Sequence, residues 1–117
     1  MILGVAHVQL AAPPGCEEAA RAFFGGILGL EEIAKPEPLA GRGGVWFRAG
    51  SQELHIGVEE PFAPAEKAHP AFAVRDEAAL EELAGRLGEV RWDHSIAGVR
   101  RFYASDPWGN RLEFLVS

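Results

Sequence analysis

Asp106-Pro107-Trp108-Gly109-Asn110-Arg111-Leu112-Glu113-Phe114 is a turn that feeds a strand. Asp-Pro and Gly-Asn are turn formers, and proline presets the backbone angle the turn needs. Arg111 to Val116 then reads as the closing strand. Side chains alternate along a strand, so Leu112, Phe114 and Val116 share one apolar face, and Arg111, Glu113 and Leu115 share the other. Glu113 is a carboxylate in mid-strand between large apolar neighbours. Such a group is costly unless solvated, paired or bound to a metal.

Working outward, 117 residues suffice for one domain with a real core, and 48% hydrophobic with 24% charged residues suits a globular protein. The formal net charge of −6 argues against nucleic acid or an anionic membrane as partner. No apolar run has the length of a membrane span, and Met1-Ile2-Leu3 does not open a signal peptide. Cys16 is the single cysteine, so no internal disulfide is expected and a cytoplasmic home is the default.

The first strand is expected over Ile2 to Ala12, with Leu3, Val5, His7 and Gln9 on one face. Glu17 to Leu28 has helical spacing, weakened by Gly25-Gly26 and stopped by Gly29. Glu31 to Lys35 is a short strand, and residues 35–43 form a Pro- and Gly-rich loop. Val45 to Ala49 and Gln52 to Val58 form a hairpin around Gly50-Ser51. Glu59 to Ala68 reads as a linker. The pattern then starts again: a strand over His69 to Arg75, a helix over Asp76 to Leu87 with Asp76 as N-cap, and a short strand over Val90 to Asp93. A last hairpin joins Val99 to Ala104 with Asn110 to Val116. The expectation is one α+β domain over 1–117. It comprises two βαβββ modules, 1–58 and 69–117, as curved mixed sheets with helices on their outer faces and 59–68 as linker.

Superposing the halves tests the repeat. Ala6-His7 matches Ala68-His69 at an offset of 62 residues, Trp46-Phe47 matches Phe102-Tyr103 at 56, and Leu54-His55-Ile56 matches Leu112-Glu113-Phe114 at 58. His7 then corresponds to His69, and His55 to Glu113, all on the face away from the helices. Imidazole and carboxylate donors together suit Zn, Ni, Mn, Co or Fe(II). His94 has no counterpart in the other half.

The paired modules, the Ala-His strand starts at His7 and His69, and the turn-strand at Asp106–Phe114 together resemble the vicinal oxygen chelate superfamily. Glyoxalase I, bleomycin-resistance proteins, extradiol dioxygenases, fosfomycin-modifying transferases and methylmalonyl-CoA epimerase belong to it. The resemblance implies a divalent metal held by His7, His55, His69 and Glu113. His55 departs from the Glu usual there in glyoxalase I and from the Gln of the epimerases, so it is either a ligand or an adjacent base. His55 and Glu113 are thus the catalytic candidates.

An open metal position implies chelation of neighbouring substrate oxygens and stabilisation of an enolate or oxyanion. Trp46, Arg48, His94, Arg100, Arg101 and Tyr103 are candidates to contact a small-molecule substrate, the arginines through an anionic group. Two functions follow: a metal-dependent lyase, isomerase or dioxygenase, or a small-molecule binding protein of the bleomycin-resistance type without catalysis. A homodimer is expected, with sites either within one chain or across two.

Overall fold

The computed structural model describes residues 1–117, which divide into two compact units, Met1–Ala63 and Pro64–Ser117. Each unit is one four-stranded mixed sheet with a helix, the expected α+β architecture.

The first unit contains β1 (His7–Ala12), α1 (Glu17–Ala20), β2 (Glu31–Ile33), β3 (Val45–Ala49) and β4 (Gln52–Val58). Its order is β1-β4-β3-β2, with β1 parallel to β4 and the other neighbours antiparallel. The second unit contains β5 (Ala71–Ala73), α2 (Glu77–Leu87), β6 (Arg91–Asp93), β7 (Arg100–Ser105) and β8 (Arg111–Val116). Its order, β5-β8-β7-β6, repeats the first, again with one parallel pair, β5 and β8.

Alternation along the strands sorts the side chains. In the first unit Leu10, Ala12, Val45, Phe47, Leu54 and Ile56 are buried together with Ala20, Phe23 and Phe24 of the helical segment. In the second, Phe102, Leu112 and Phe114 are buried with Leu80 of α2. Burying a side chain such as Phe47 or Phe102 stabilises by about 1.5–3 kcal/mol.

Several boundaries differ from expectation. The first strand starts at His7, not Ile2. Its partner β4 starts only at Gln52, so the chain before the Ala6 carbonyl, which accepts the Glu53 N–H, has nothing to pair with. Met1, Ile2, Leu3 and Val5 are exposed. His69 likewise precedes its strand, and Pro70 beside it has no N–H for the ladder. The first helix is α-helical only to Ala20 and continues as a wider π-helix over Arg21–Ile27, where the Leu28 N–H reaches back to the Phe23 carbonyl. Gly25-Gly26, a poor pair for a regular helix, lies in that wide stretch while adjacent Phe23 and Phe24 are both buried. A 3₁₀-helix over Glu37–Arg42 occupies the expected loop.

The turn before β8 is locked from within. Asp106 Oδ1 accepts the N–H groups of Trp108 at 3.0 Å and Asn110 at 2.8 Å, and its Oδ2 accepts Asn110 Nδ2 at 2.7 Å. Asn110 Oδ1 in turn accepts the Ala65 N–H at 3.0 Å, and the Ala65 carbonyl accepts the Arg111 N–H at 3.1 Å. Gly109 sits at φ +95°, a conformation that favours glycine. Asp106 and Asn110 are both buried, and burial pushes the Asp106 carboxyl up despite the hydrogen bonds it accepts. This network sets where β8 begins and therefore which face Glu113 occupies.

Candidate functional site

The strand registers align the two polar faces and correct one expected correspondence. Trp46 lies opposite His55, and Tyr103 lies opposite Glu113. Trp46 therefore matches Tyr103, not Phe102, and the offset there is 57 residues where 56 was expected. The off-by-one followed from reading both hairpins as aromatic pairs. In the structure β7 runs through Ser105, one residue beyond its expected end.

In the first unit the polar face is a stack of rings. His55 lies under Trp46, with ring centroids 3.6 Å apart and planes at 4°, and His7 stacks on His55 at 4.2 Å and 17°. His55 is only 3% exposed, although a polar strand face would leave it half open. Its Nε2 lies 2.9 Å from Glu53 Oε1. A carboxylate only accepts, so that nitrogen carries the proton and the Nδ1 lone pair is the free one in the neutral ring. Ring lone pairs lie in the ring plane. Two imidazoles stacked nearly parallel aim theirs side by side and do not converge on one ion. Arg48 is on the same face but exposed, 3.7 Å from Glu31.

In the second unit the same positions carry charge. Glu113 is buried, with Oε1 2.8 Å from His69 Nε2 and Oε2 accepting Arg101 Nη1 at 3.2 Å. Burial pushes the Glu113 carboxyl up, but the hydrogen bonds and charges of His69 and Arg101 outweigh it and hold the group below its ordinary 4.5. His69 is also held through Nδ1, 2.8 Å from the Lys67 carbonyl. Both ring nitrogens thus face oxygens that only accept. A proton or another cation must therefore lie between Nε2 and Oε1. A metal-binding histidine usually gives one ring N–H to a carbonyl or carboxylate and turns its other nitrogen to the ion; here the Lys67 carbonyl would hold Nδ1, leaving Nε2 for an ion shared with Glu113. His69 and Glu113 therefore fit a divalent ion as a pair. No three His, Cys, Asp or Glu side chains come together to hold one.

Of the expected substrate contacts, Tyr103 and Arg101 are on this face. Arg101 also reaches Asp93 at 3.3 Å, Ser95 Oγ at 3.1 Å and the Tyr103 hydroxyl at 3.0 Å. Arg100 is on the opposite face, where it pairs with Glu81 of α2 and lies over Trp92. His94 is exposed in the loop after β6. It lines an open cleft of about 890 Å³ with Arg75, Asp76, Ile96 and Arg100, a separate group from the residues around Glu113. Cys16 is buried, and burial followed by the charge of Glu17 pushes its thiol up, which suits a packing residue. Reading residue by residue missed three participants. Glu53, Arg111 and Arg91 all fall on the polar faces by register, and two-residue alternation through His55, Glu113 and Tyr103 would have found them.

Two copies of a helix-bearing mixed sheet, with imidazole and carboxylate on the polar faces, define the vicinal oxygen chelate class. Comparison with solved structures agrees. The chain superimposes with a TM-score of 0.95 on a protein from Bacillus anthracis described as of the glyoxalase family, at 55% identity over all of this chain and 97% of that one. The chain belongs to the glyoxalase family. Lactoylglutathione lyase from Agrobacterium tumefaciens superimposes with a TM-score of 0.76 at 22% identity, over 100% of this chain and 96% of that one. A fosfomycin resistance protein from Mesorhizobium loti does so with 0.73 at 20% identity, over 100% and 94%. At those identities the likeness is one of fold. No protein-family model and no curated protein matches the chain. No helix is long and apolar enough to cross a membrane.

Proposed function

We propose that this chain is a divalent-metal-dependent enzyme of the glyoxalase family acting on a small molecule with neighbouring oxygens. The observation that carries the reading is the contact of His69 Nε2 with Glu113 Oε1, 2.8 Å apart on a buried carboxylate. His69 and Glu113 are the proposed ligands of the second unit. His7, the counterpart of His69 in the repeat, is the proposed further ligand on the strength of the superfamily resemblance. A bound divalent ion supplies a Lewis acid for the substrate oxygens.

The other roles fall to the chain's own side chains. His55 is the proposed base: Glu53 holds its Nε2, and the free Nδ1 lone pair takes a substrate proton. Trp46 covers the His55 ring and keeps water off it. Tyr103 and Arg101 orient the substrate beside Glu113. The proposed assembly is a homodimer.

The experiment is metal titration of tag-free, metal-stripped protein with Zn, Ni, Mn, Co and Fe(II). Binding should weaken as pH falls, because a ligating imidazole nitrogen must carry no proton. His69→Ala should abolish the tight phase. Equal affinity in wild type and His69→Ala for every metal would overturn the proposal.

One observation favours the second reading, a binding protein without catalysis. Arg101 already places a permanent cation on Glu113 Oε2. If metal-stripped protein binds its small molecule as tightly as metal-loaded protein and turns nothing over, that reading holds.

A further inference from the structure

Three guanidinium groups surround one phenol ring in the second unit. Arg111 lies over Tyr103 at 4.1 Å from the ring centroid, Arg101 at 5.5 Å and Arg91 at 5.6 Å. Register puts them on one face. Arg91 is directly opposite Tyr103, Arg101 is two residues before it on β7, and Arg111 is opposite Ser105 two residues after it. From these contacts we infer that Arg91 and Arg111 form a subsite for a substrate oxyanion, a carboxylate or phosphoryl group, held beside Tyr103 and Glu113.

The three arginines are not equivalent. Arg101 spends its charge inside the chain on Glu113 and Asp93. Arg91 and Arg111 have no acidic partner, and their contacts are with the ring of Tyr103. Stacking on a ring uses the flat face of a guanidinium and leaves its N–H donors uncommitted. Arg111 Nε is buried and has no hydrogen-bond partner, and neither has Arg101 Nε. A buried donor without a partner is costly, and so is crowding like charges. In a chain of net charge −6, carboxylates are available to neutralise spare arginines, yet these two are left without one. An oxyanion accepting from the terminal amino groups of both would neutralise the charge, with the bidentate geometry that guanidinium offers.

The repeat strengthens the case. By register, the positions of Arg91, Arg101 and Arg111 correspond in the first unit to Ile33, Gly44 and Glu53. A cationic cluster is thus not something the shared scaffold demands. It is confined to the half that carries the His69–Glu113 pair.

This subsite rests on the reading of that face as the substrate site, but its test uses metal-free protein and stands apart from metal binding. Inorganic phosphate, methylphosphonate and acetate are titrated separately into the full chain by calorimetry at low ionic strength, then at raised salt. Wild type should bind at least one of them, and the tightest of the three names the group. Arg111→Gln should weaken that binding about tenfold or more, and Arg91→Gln should weaken it in the same direction. Arg86→Gln, which removes the same charge from α2, should leave affinity within about twofold. Arg111→Lys keeps charge on Tyr103 and serves where Arg111→Gln does not fold. It should still lose affinity, because an ammonium cannot bind in bidentate fashion. Absence of binding by wild type overturns the inference. So does unchanged affinity in both the Arg91 and Arg111 variants, or an equal loss in Arg86→Gln.

Discussion

Glu113→Gln separates the structural and metal roles of the carboxylate. In metal-free protein Glu113 holds the Arg101 guanidinium and the His69 ring, both partly buried. The side chains of Glu113, Arg101 and His69 are 8%, 13% and 22% exposed, so solvent screens the pair only in part. A charge-assisted hydrogen bond contributes about 1.5–3 kcal/mol, and the 3.2 Å bond to Arg101 belongs at the weak end. Glutamine keeps one oxygen for Arg101 and turns its NH₂ toward His69 Nε2. Arg101 also retains Asp93 and Ser95. The net loss should be about 2 kcal/mol, read from denaturant melts of stripped protein.

With metal present the two proteins should diverge further. At a metal concentration 100 times Kd, wild type gains about 2.7 kcal/mol by mass action, and Glu113→Gln should gain almost none. The pH profile gives an independent check. The folded-state pKa of Glu113 lies below its ordinary value of 4.5. Its contribution is therefore present above the unfolded value and lost as pH falls through the lower folded value. Wild-type stability should drop more steeply than that of Glu113→Gln below about pH 4.5. Equal metal stabilisation of both proteins would refute the ligand role, and equal melts without metal would refute the ion-pair ledger.

Three further changes probe the scaffold and the base. Asn110→Ala removes the amide that joins Asp106 to Ala65 and leaves buried partners unsatisfied, so it should cost about 2–3 kcal/mol by chemical denaturation. Gly44→Ala puts a Cβ 2.2 Å from the Ile56 carbonyl oxygen at φ +86°, and a thermal melt should report about 2–4 kcal/mol of destabilisation. Glu53→Ala frees the His55 Nε2. Imidazole ¹⁵N NMR should show a neutral Nε2–H tautomer in wild type and a tautomer mixture in the variant, and identical spectra would remove Glu53 as the positioning residue.

The repeat was legible because each half carries the same alternation in its strands and one helical run between the first strand and the rest. A buried Leu or Phe every second residue cannot slip register without exposing the core, so Leu54 and Ile56, like Leu112 and Phe114, placed His55 and Glu113 on the polar faces from pattern alone. Strand ends were less legible. Whether a strand starts at Ile2 or His7 depends on how far its partner extends, and that is a property of β4, not of the residues in β1. Side-chain pairing was least legible. Arg100 and Arg101 look alike in sequence, yet alternation sends one to Glu81 and the other to Glu113.

The two halves also show why a conserved scaffold need not give a symmetric site. The position of His55 in the first sheet is that of Glu113 in the second, and the ring opposite changes from Trp46 to Tyr103. Indole and imidazole stack face to face, which buries the His55 ring while its edge keeps the contact with Glu53. A carboxylate in the same place cannot be buried that way and needs a cation. The second half supplies Arg101 from β7, and His69, the residue before Pro70, adds a hydrogen bond at the other oxygen. The position opposite Ser105 then changes sign relative to its counterpart, from Glu53 to Arg111. The exchange of His for Glu is thus tied to the groups around it: one face keeps an imidazole stacked between rings, and the other collects positive charge around a carboxylate.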